Sequence, residues 1–260
     1  AEGRFETAFA LVRPPGHHAS ADKFGGYCIF NSAAVAARNL QALGLAKRVL
    51  IVDIDAHAGN GTMQIFYEDP TVINLSVHRD PKDFYPHDGF AHQIGKGKGR
   101  GYNINVTVPE GSGDEEYLMI FESLIMPVYK SYMPDHVMCL VGFDAHYTDS
   151  QSNLQLTSNG YYEFVRRLMR LNNGKLSLLL EGGYNCAENV NLAHTIIHAM
   201  LGEKAPYEDE IDGLSNQVTR SVKTRAILES KLAELTDLLN PYYDFGQAGS
   251  GRPRAGPGDG

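Results

Sequence analysis

The chain is 260 residues long, 43% hydrophobic and 21% charged, which suits one large α/β domain and excludes a fibrous or wholly disordered chain. Its formal net charge of -8 leaves no electrostatic footprint for direct nucleic-acid binding, although it would welcome a cationic substrate such as a lysine-bearing peptide or a polyamine. Cys28, Cys139 and Cys186 are too few and too scattered for a disulfide framework, no apolar stretch reaches the roughly 18 to 20 residues of a membrane span, and no secretory leader is seen, so a cytoplasmic location is expected.

In chain order, short continuous apolar runs occur at "AFALV" (8–12), "RVLIV" (48–52), "TVINLSV" (71–77), "HVMCLVGF" (136–143) and "LSLLLEG" (176–182), and each predicts a strand buried on both faces. Helical patterns lie between them. One follows the potential N-cap Asn31, one spans 114–132 with acids in its first turn, and one runs from Thr157 toward the glycine at 174. A last helix over 214–240 carries Val218, Val222, Leu228, Leu232, Leu235 and Leu239 near helical spacing, which predicts one face packed on the body. Strands alternating with helices imply βαβ units and a three-layer αβα domain around a mostly parallel sheet. That single domain is expected over 1–245, with the Gly/Pro-rich stretch 246–260 as a disordered tail.

Open parallel sheets bind ligands at the carboxyl ends of their strands. After the successive runs stand "RPPGHHA", "DIDAHAGNG", "HRDPKDFYPHDG", "DAHYTDS" and "EGGYN". Asp55 and His57 are two apart and share a face where the second strand ends, and Asp144 joins them from another strand end. An O,N,O set of this kind suits zinc with an open position, or iron(II), manganese or cobalt in a less selective site. An Asp-x-His alone is as readily a pair of solvated loop residues; the histidines and Asp144 at matching strand ends weigh against that. His17 and His18 could divide proton transfer, one accepting from activated water and one protonating a leaving amine. Asp53 and Asn60 are the available partners to fix their tautomers. Tyr184, after two glycines, could donate a hydrogen bond to an oxyanion. Taken alone, the His pair would be solvent-exposed and the tyrosine a turn with an aromatic lid.

The motifs "RPPGHHA", "GYCIFN", "VDIDAHAGNGT", "GKGRGYNINVTVP", "GFDAH" and "EGGYN" together resemble the histone deacetylase family, which includes acetylpolyamine amidohydrolases and acetoin-utilisation proteins; the wording is closest to its class II and bacterial or archaeal branches. The resemblance implies an arginase/deacetylase-type fold and removal of an acetyl or other acyl group from lysine side chains of proteins or peptides, or from polyamines. It assigns zinc to Asp55, His57 and Asp144, the general base to His17, the general acid to His18, and transition-state stabilisation to Tyr184. It pairs Asp53 with His17 and Asn60 with His18. Gly26, Tyr27 and Gly183 fall where substrate is lined, with Tyr85 as the facing wall. A structural potassium ion is implied at Asp53, Asp55, His57, Ser76 and Val77, and a second at Phe66, Asp69, Val72 and Tyr102.

Three departures accompany the likeness. Family members carry a longer segment before "RPPGHH", so edge strands, helices and an acidic rim residue of the N-terminal part are expected to be missing. Ala58 stands where a second histidine is common. "AHYTDSQSN" replaces a small-residue Gly-Asp-Pro loop and puts Gln151 near the substrate gate. Two other readings compete: a binuclear ureohydrolase, which needs a carboxylate where His146 stands, and a catalytically silent acyl-lysine-binding module or inactive truncated homologue, suggested by the short N-terminal part.

Overall fold

A computed structural model describes residues 6–206, 209 and 214–246, with the side chains of 214–221 left aside. Six strands form one sheet: β1 (Thr7–Ala10), β2 (Val49–Asp53), β3 (Val72–Arg79), β4 (Asn103–Val108), β5 (His136–Val141) and β6 (Leu176–Leu180). Their order is β1-β6-β5-β2-β3-β4, and every neighbouring pair is parallel. Helices α1 (Ser32–Ala42), α2 (Asn60–Phe66), α3 (Asp114–Ile120), α4 (Met126–Tyr132), α5 (Ser158–Leu168), α6 (Cys186–Leu201) and α7 (Leu214–Leu239) fill the connections. Among the described residues no helix is long and apolar enough to cross a membrane.

Alternation along the strands builds the three layers, because successive side chains point to opposite faces. Val49 and Ile51 of β2 join Met138 and Leu140 of β5 against the alanines of α1 and Phe66 of α2. Leu50, Val52, Val137 and Cys139 face the other way, into a larger core closed by Tyr117, Phe121, Phe164, Ile196 and Leu228 from the helices of the opposite layer. The predicted caps are present: Asn31 Oδ1 accepts from Ala34 N, and Thr157 Oγ1 accepts from Gly160 N.

The structure corrects several expectations. β4 is a sixth strand beyond the five apolar runs. Its Ile104, Val106 and Val108 enter the core, whereas the intervening Asn103 and Asn105 are buried and satisfied by the carbonyls of Gln93 and Phe90. β1 is not buried on both faces: among the described residues it pairs only with β6 and so stands at the edge of the sheet, and Leu11 and Val12 lie beyond its end, exposed. Between α3 and α4 the helix widens into a π-helical segment, Phe121–Ile125, just before Pro127, whose ring and missing N–H cannot fit the regular α ladder. The helix begun at Thr157 ends at Leu168, and Asn172 and Asn173 follow with left-handed backbone. On α7, Leu228, Leu232, Leu235 and Leu239 are buried as expected, but Val222 is 68% exposed. Val218 and, beyond residue 246, the predicted tail lie outside what is described. Helix α6, directly after "EGGYN", is a further helix beyond those expected.

Candidate active site

Because all strands run the same way, the segments leaving β1, β2, β3, β5 and β6 meet on one edge of the sheet. Asp53 closes β2 beside Ser76 of β3, and the chain then turns so that Asp55 N–H donates to Asp53 Oδ1 (3.0 Å) and His57 N–H to Asp55 Oδ1 (2.8 Å). Asp144, three residues past β5, accepts from Ala56 N–H at 2.9 Å. These backbone bonds tie Asp55, His57 and Asp144 to one another before any ligand is considered.

One donor atom from each of the three lies within 4.8 Å of the others. Asp55 and Asp144 are fully buried. His57 Nδ1 stands 2.9 Å from Asp144 Oδ2 and 3.2 Å from Asp55 Oδ1. Its ring is fixed by stacking on Phe84, 4.5 Å between centroids. Gly182 completes the pocket: its N–H donates to Asp55 Oδ2 at 2.8 Å, and a Cβ there would come within 2.6 Å of Asp144 Oδ2.

The electrostatics are those of excess buried negative charge. Burial opposes a charged His57, yet hydrogen bonds to Asp144 and Asp55 push its pKa up to about 10. Burial and the Asp55 charge raise Asp144 to about 6. Burial would also raise Asp55, but His17 and His57 outweigh it and hold that carboxyl well below the usual range. Two buried carboxylates need a compensating cation, and where none other is at hand the imidazole serves. The donor set therefore fits a divalent cation of the zinc class.

His17 and His18 stand side by side, ring centroids 4.0 Å apart, and each is held by a different kind of partner. His17 Nδ1–H donates to Asp53 Oδ2 at 2.9 Å, and its Nε2 lies 3.7 Å from Asp55 Oδ1. Burial disfavours its charge, but Asp55, Asp53 and Glu181 together raise its pKa well above the ordinary value. His18 Nδ1 lies 2.8 Å from Asn60 Oδ1, an acceptor only, so Nδ1 carries the proton and Nε2 is left as an acceptor. Burial and the neighbouring His17 lower the pKa of His18. Burial likewise raises Asp53 and keeps the Tyr184 phenol protonated.

Of the residues expected along the substrate path, Gly26 packs on His18 so closely that a Cβ would sit 2.2 Å from the ring, and its φ of +52 suits glycine. Tyr85 meets His18 edge-on at 5.0 Å, and Tyr184 is edge-on to His57 at 6.5 Å. Tyr27, mostly exposed, stands 6.1 Å from Tyr184. Gly183 lies beside Phe143, and its carbonyl accepts from Asn189. Gln151 is exposed, and its described bond ties it to Asp149 rather than to the carboxylate centre. Ser76 Oγ is engaged by His78 Nδ1 at 2.8 Å, with Val77 next to it in β3. In the second expected potassium set, Phe66 O already accepts from Asp69 N–H and Tyr102 O from Asn74 N–H; Val72 is buried in β3.

Sequence reasoning missed two supports. Glu181 is buried and accepts from Gly16 N–H (2.7 Å) and His17 N–H (3.0 Å), clamping the "RPPGHH" turn to the end of β6; burial raises its pKa to about 7 despite the opposing His17 charge. Asp149 accepts from the backbone N–H of Tyr184 and Asn185 and so positions the "EGGYN" turn. The sequence signal for Glu181 is a carboxylate directly after an apolar run; Asp149, in the loop after β5, has none of that kind.

Residues 1–200 match the histone deacetylase domain family. The chain is 42% identical over 245 residues to Histone deacetylase 15 of Arabidopsis thaliana, covering 94% of this chain and 42% of that protein. It is 37% identical over 237 residues to Histone deacetylase 9 of Homo sapiens, covering 88% and 23%. Among solved structures, the HDA15 HD domain aligns with a TM-score of 0.75 at 38% identity over 91% of this chain and 67% of that one. The histone deacetylase Clr3 aligns with a TM-score of 0.78 at 33% identity, over 97% and 40%. The chain thus spans less than half the length of these two curated relatives. By the extent of the domain match and by these identities, the chain belongs to the histone deacetylase family.

Proposed function

We propose that the chain hydrolyses the amide of an acylated amine, with acetyl-lysine in a protein or peptide as the first substrate to test and acetylated polyamines as the second. The observation that carries the proposal is the placement of two differently partnered imidazoles beside a buried carboxylate–imidazole–carboxylate triad. Asp55, His57 and Asp144 would hold the metal. A zinc-class ion bound there supplies Lewis-acid polarisation of the carbonyl and acidifies water.

The chain's own residues divide the remaining work. Asp53, a carboxylate, stabilises a charged His17, whereas the Asn60 amide orients His18 without compensating charge. His18 Nε2 is thereby suited to accept a proton from the attacking water, and the charged His17 to steady the negative charge that develops beside it. This order of roles reverses the one expected from sequence, and the two histidines are separable by experiment. Tyr184, kept protonated by burial, donates to the carbonyl oxygen as it becomes negative. The proton gathered on the imidazole passes to the leaving nitrogen. The aromatic rings of Tyr27 and Tyr85 offer apolar faces to the methylene stem of a lysine or polyamine. Asp53, Asp55, His57, Ser76 and Val77 remain the proposed potassium ligands, supported by the side-by-side register of Asp53 and Ser76.

Zinc-loaded chain, assayed on an acetyl-lysine peptide and on acetylated putrescine and spermidine, tests the proposal. Hydrolysis of at least one substrate, abolished in Asp144→Asn, supports it. A folded, zinc-bound chain without turnover on all of them refutes it and favours a silent acyl-lysine-binding module.

A further inference from the structure

A second group of metal-competent side chains gathers away from the centre described above. His146 lies two residues past Asp144, Glu188 is in the first turn of α6, and Asp209 follows α6; one donor atom from each lies within 4.8 Å of the other two. Acidic groups cluster without ions, but the imidazole distinguishes this cluster. His146 is 1% exposed, and its Nδ1 is held 2.8 Å from Thr148 Oγ1, which also accepts from Asn185 Nδ2 at 3.0 Å. Its Nε2 is buried and has no hydrogen-bond partner among the described residues. Asp209 Oδ1 stands 3.5 Å away, farther than in a well-formed hydrogen bond.

That separation has a simple explanation. Two donors that each lie about 2.0 to 2.2 Å from one cation stand about 3 to 3.5 Å from each other. The surrounding bonds orient the donors as partners of metal ligands do: Thr148 holds one ring nitrogen so that the other faces the carboxylates, and Ser158 holds Asp209 through its N–H (2.7 Å) and Oγ (2.9 Å). Asp209 gives this buried ring nitrogen a charged neighbour but no hydrogen bond, which is costly, and an ion bound between them would satisfy both.

We propose that His146, Glu188 and Asp209 bind a second divalent cation of the zinc class, with a structural rather than catalytic role. The ion fastens the loop after β5 to α6 and, through the Asp209–Ser158 bonds, to the start of α5. The site shares no ligand with Asp55, His57 and Asp144, so it does not depend on the proposed activity. It also differs from a binuclear ureohydrolase centre, whose two ions would share carboxylates.

The test uses the full chain, stripped with a chelator, reloaded with zinc and freed of excess, with bound metal counted and thermal unfolding followed. Wild type should hold two ions and Glu188→Gln one. Asp144→Asn should still hold one, with a zinc-dependent rise in Tm that disappears when His146→Gln or Glu188→Gln is added. A wild-type chain holding a single ion that is lost on Asp144→Asn would overturn the site. So would a second ion that survives both His146→Gln and Glu188→Gln, or one lost instead on His194→Ala, since the exposed His194–His198 pair, Nε2 atoms 2.9 Å apart, is another place where imidazoles meet. Because Glu188 is only partly buried, its substitution tests the site even if the His146 variant fails to fold.

Discussion

Tyr184 and Glu181 leave the same strand end within four residues of each other, yet opposite environments set their tasks. Tyr184 faces the site as a neutral donor, and removing one such donor from a developing oxyanion typically costs about 10² to 10³ in turnover. Tyr184→Phe should therefore lose that much kcat on an acetylated substrate while retaining metal; an unchanged kcat would remove the tyrosine from the chemistry. His17→Ala and His18→Ala should both be impaired. If His18 is the proton acceptor, the rise of kcat/KM with pH should persist, at reduced rate, in His17→Ala and vanish in His18→Ala, and the reverse pattern would restore His17 as the base. Glu181 carries a linkage effect. Its carboxyl has an ordinary value of 4.5 and is raised by burial to about 7 in the folded chain. The folded state therefore binds the proton more tightly, and its stabilising contribution is present below pH 4.5 and lost as pH rises through 7. A shift of that size corresponds to about 3 kcal/mol. Glu181→Gln can keep the oxygen that accepts from Gly16 and His17, so its unfolding free energy should fall less than that of wild type between pH 4.5 and 7. Identical pH dependence of the two would show that Glu181 titrates normally.

Elements were legible where one physical signal dominated. The continuous apolar runs of β2, β3, β5 and β6 marked central strands because both faces of these strands are covered. β4 escaped because its alternate asparagines read as polar loop, and only the tertiary partners Gln93, Phe90 and Asn74 make their burial tolerable. β1 departs from expectation for the opposite reason: an apolar run says nothing about whether a strand lies at an edge. On α7, helical spacing alone could not show that contact with the body excludes Val222 and takes in Leu228. Leu228→Ala should accordingly cost about 2 to 5 kcal/mol in chemical denaturation, and Val222→Ala no more than about 0.5 kcal/mol. Equal effects at the two positions would mean that α7 packs on a different face. In the site, the convergence of Asp55, His57 and Asp144, and the pairing of His17 with Asp53 and His18 with Asn60, could be read from motif order at the strand ends. The clamps Glu181 and Asp149 could not, because their roles depend on backbone N–H groups from distant turns.

At the scale of the whole molecule, the proposed function rests on one topological fact. A six-stranded all-parallel sheet brings every strand end to one edge, so turns far apart in sequence gather His17, His18, Asp55, His57, Asp144 and Tyr184 into one cluster. Carboxylates gathered there without a cation repel one another, so metal removal should destabilise the fold as well as stop turnover. Chelation should lower the Tm of wild type, and zinc should restore it. The most direct check is a crystal structure of the zinc-loaded chain with anomalous scattering at the zinc edge. It should place a zinc peak about 2.0 to 2.2 Å from His57 Nδ1 and from an oxygen of each of Asp55 and Asp144. No peak between these three residues, or a His57 ring turned away from both carboxylates, would contradict the assignment of the metal centre.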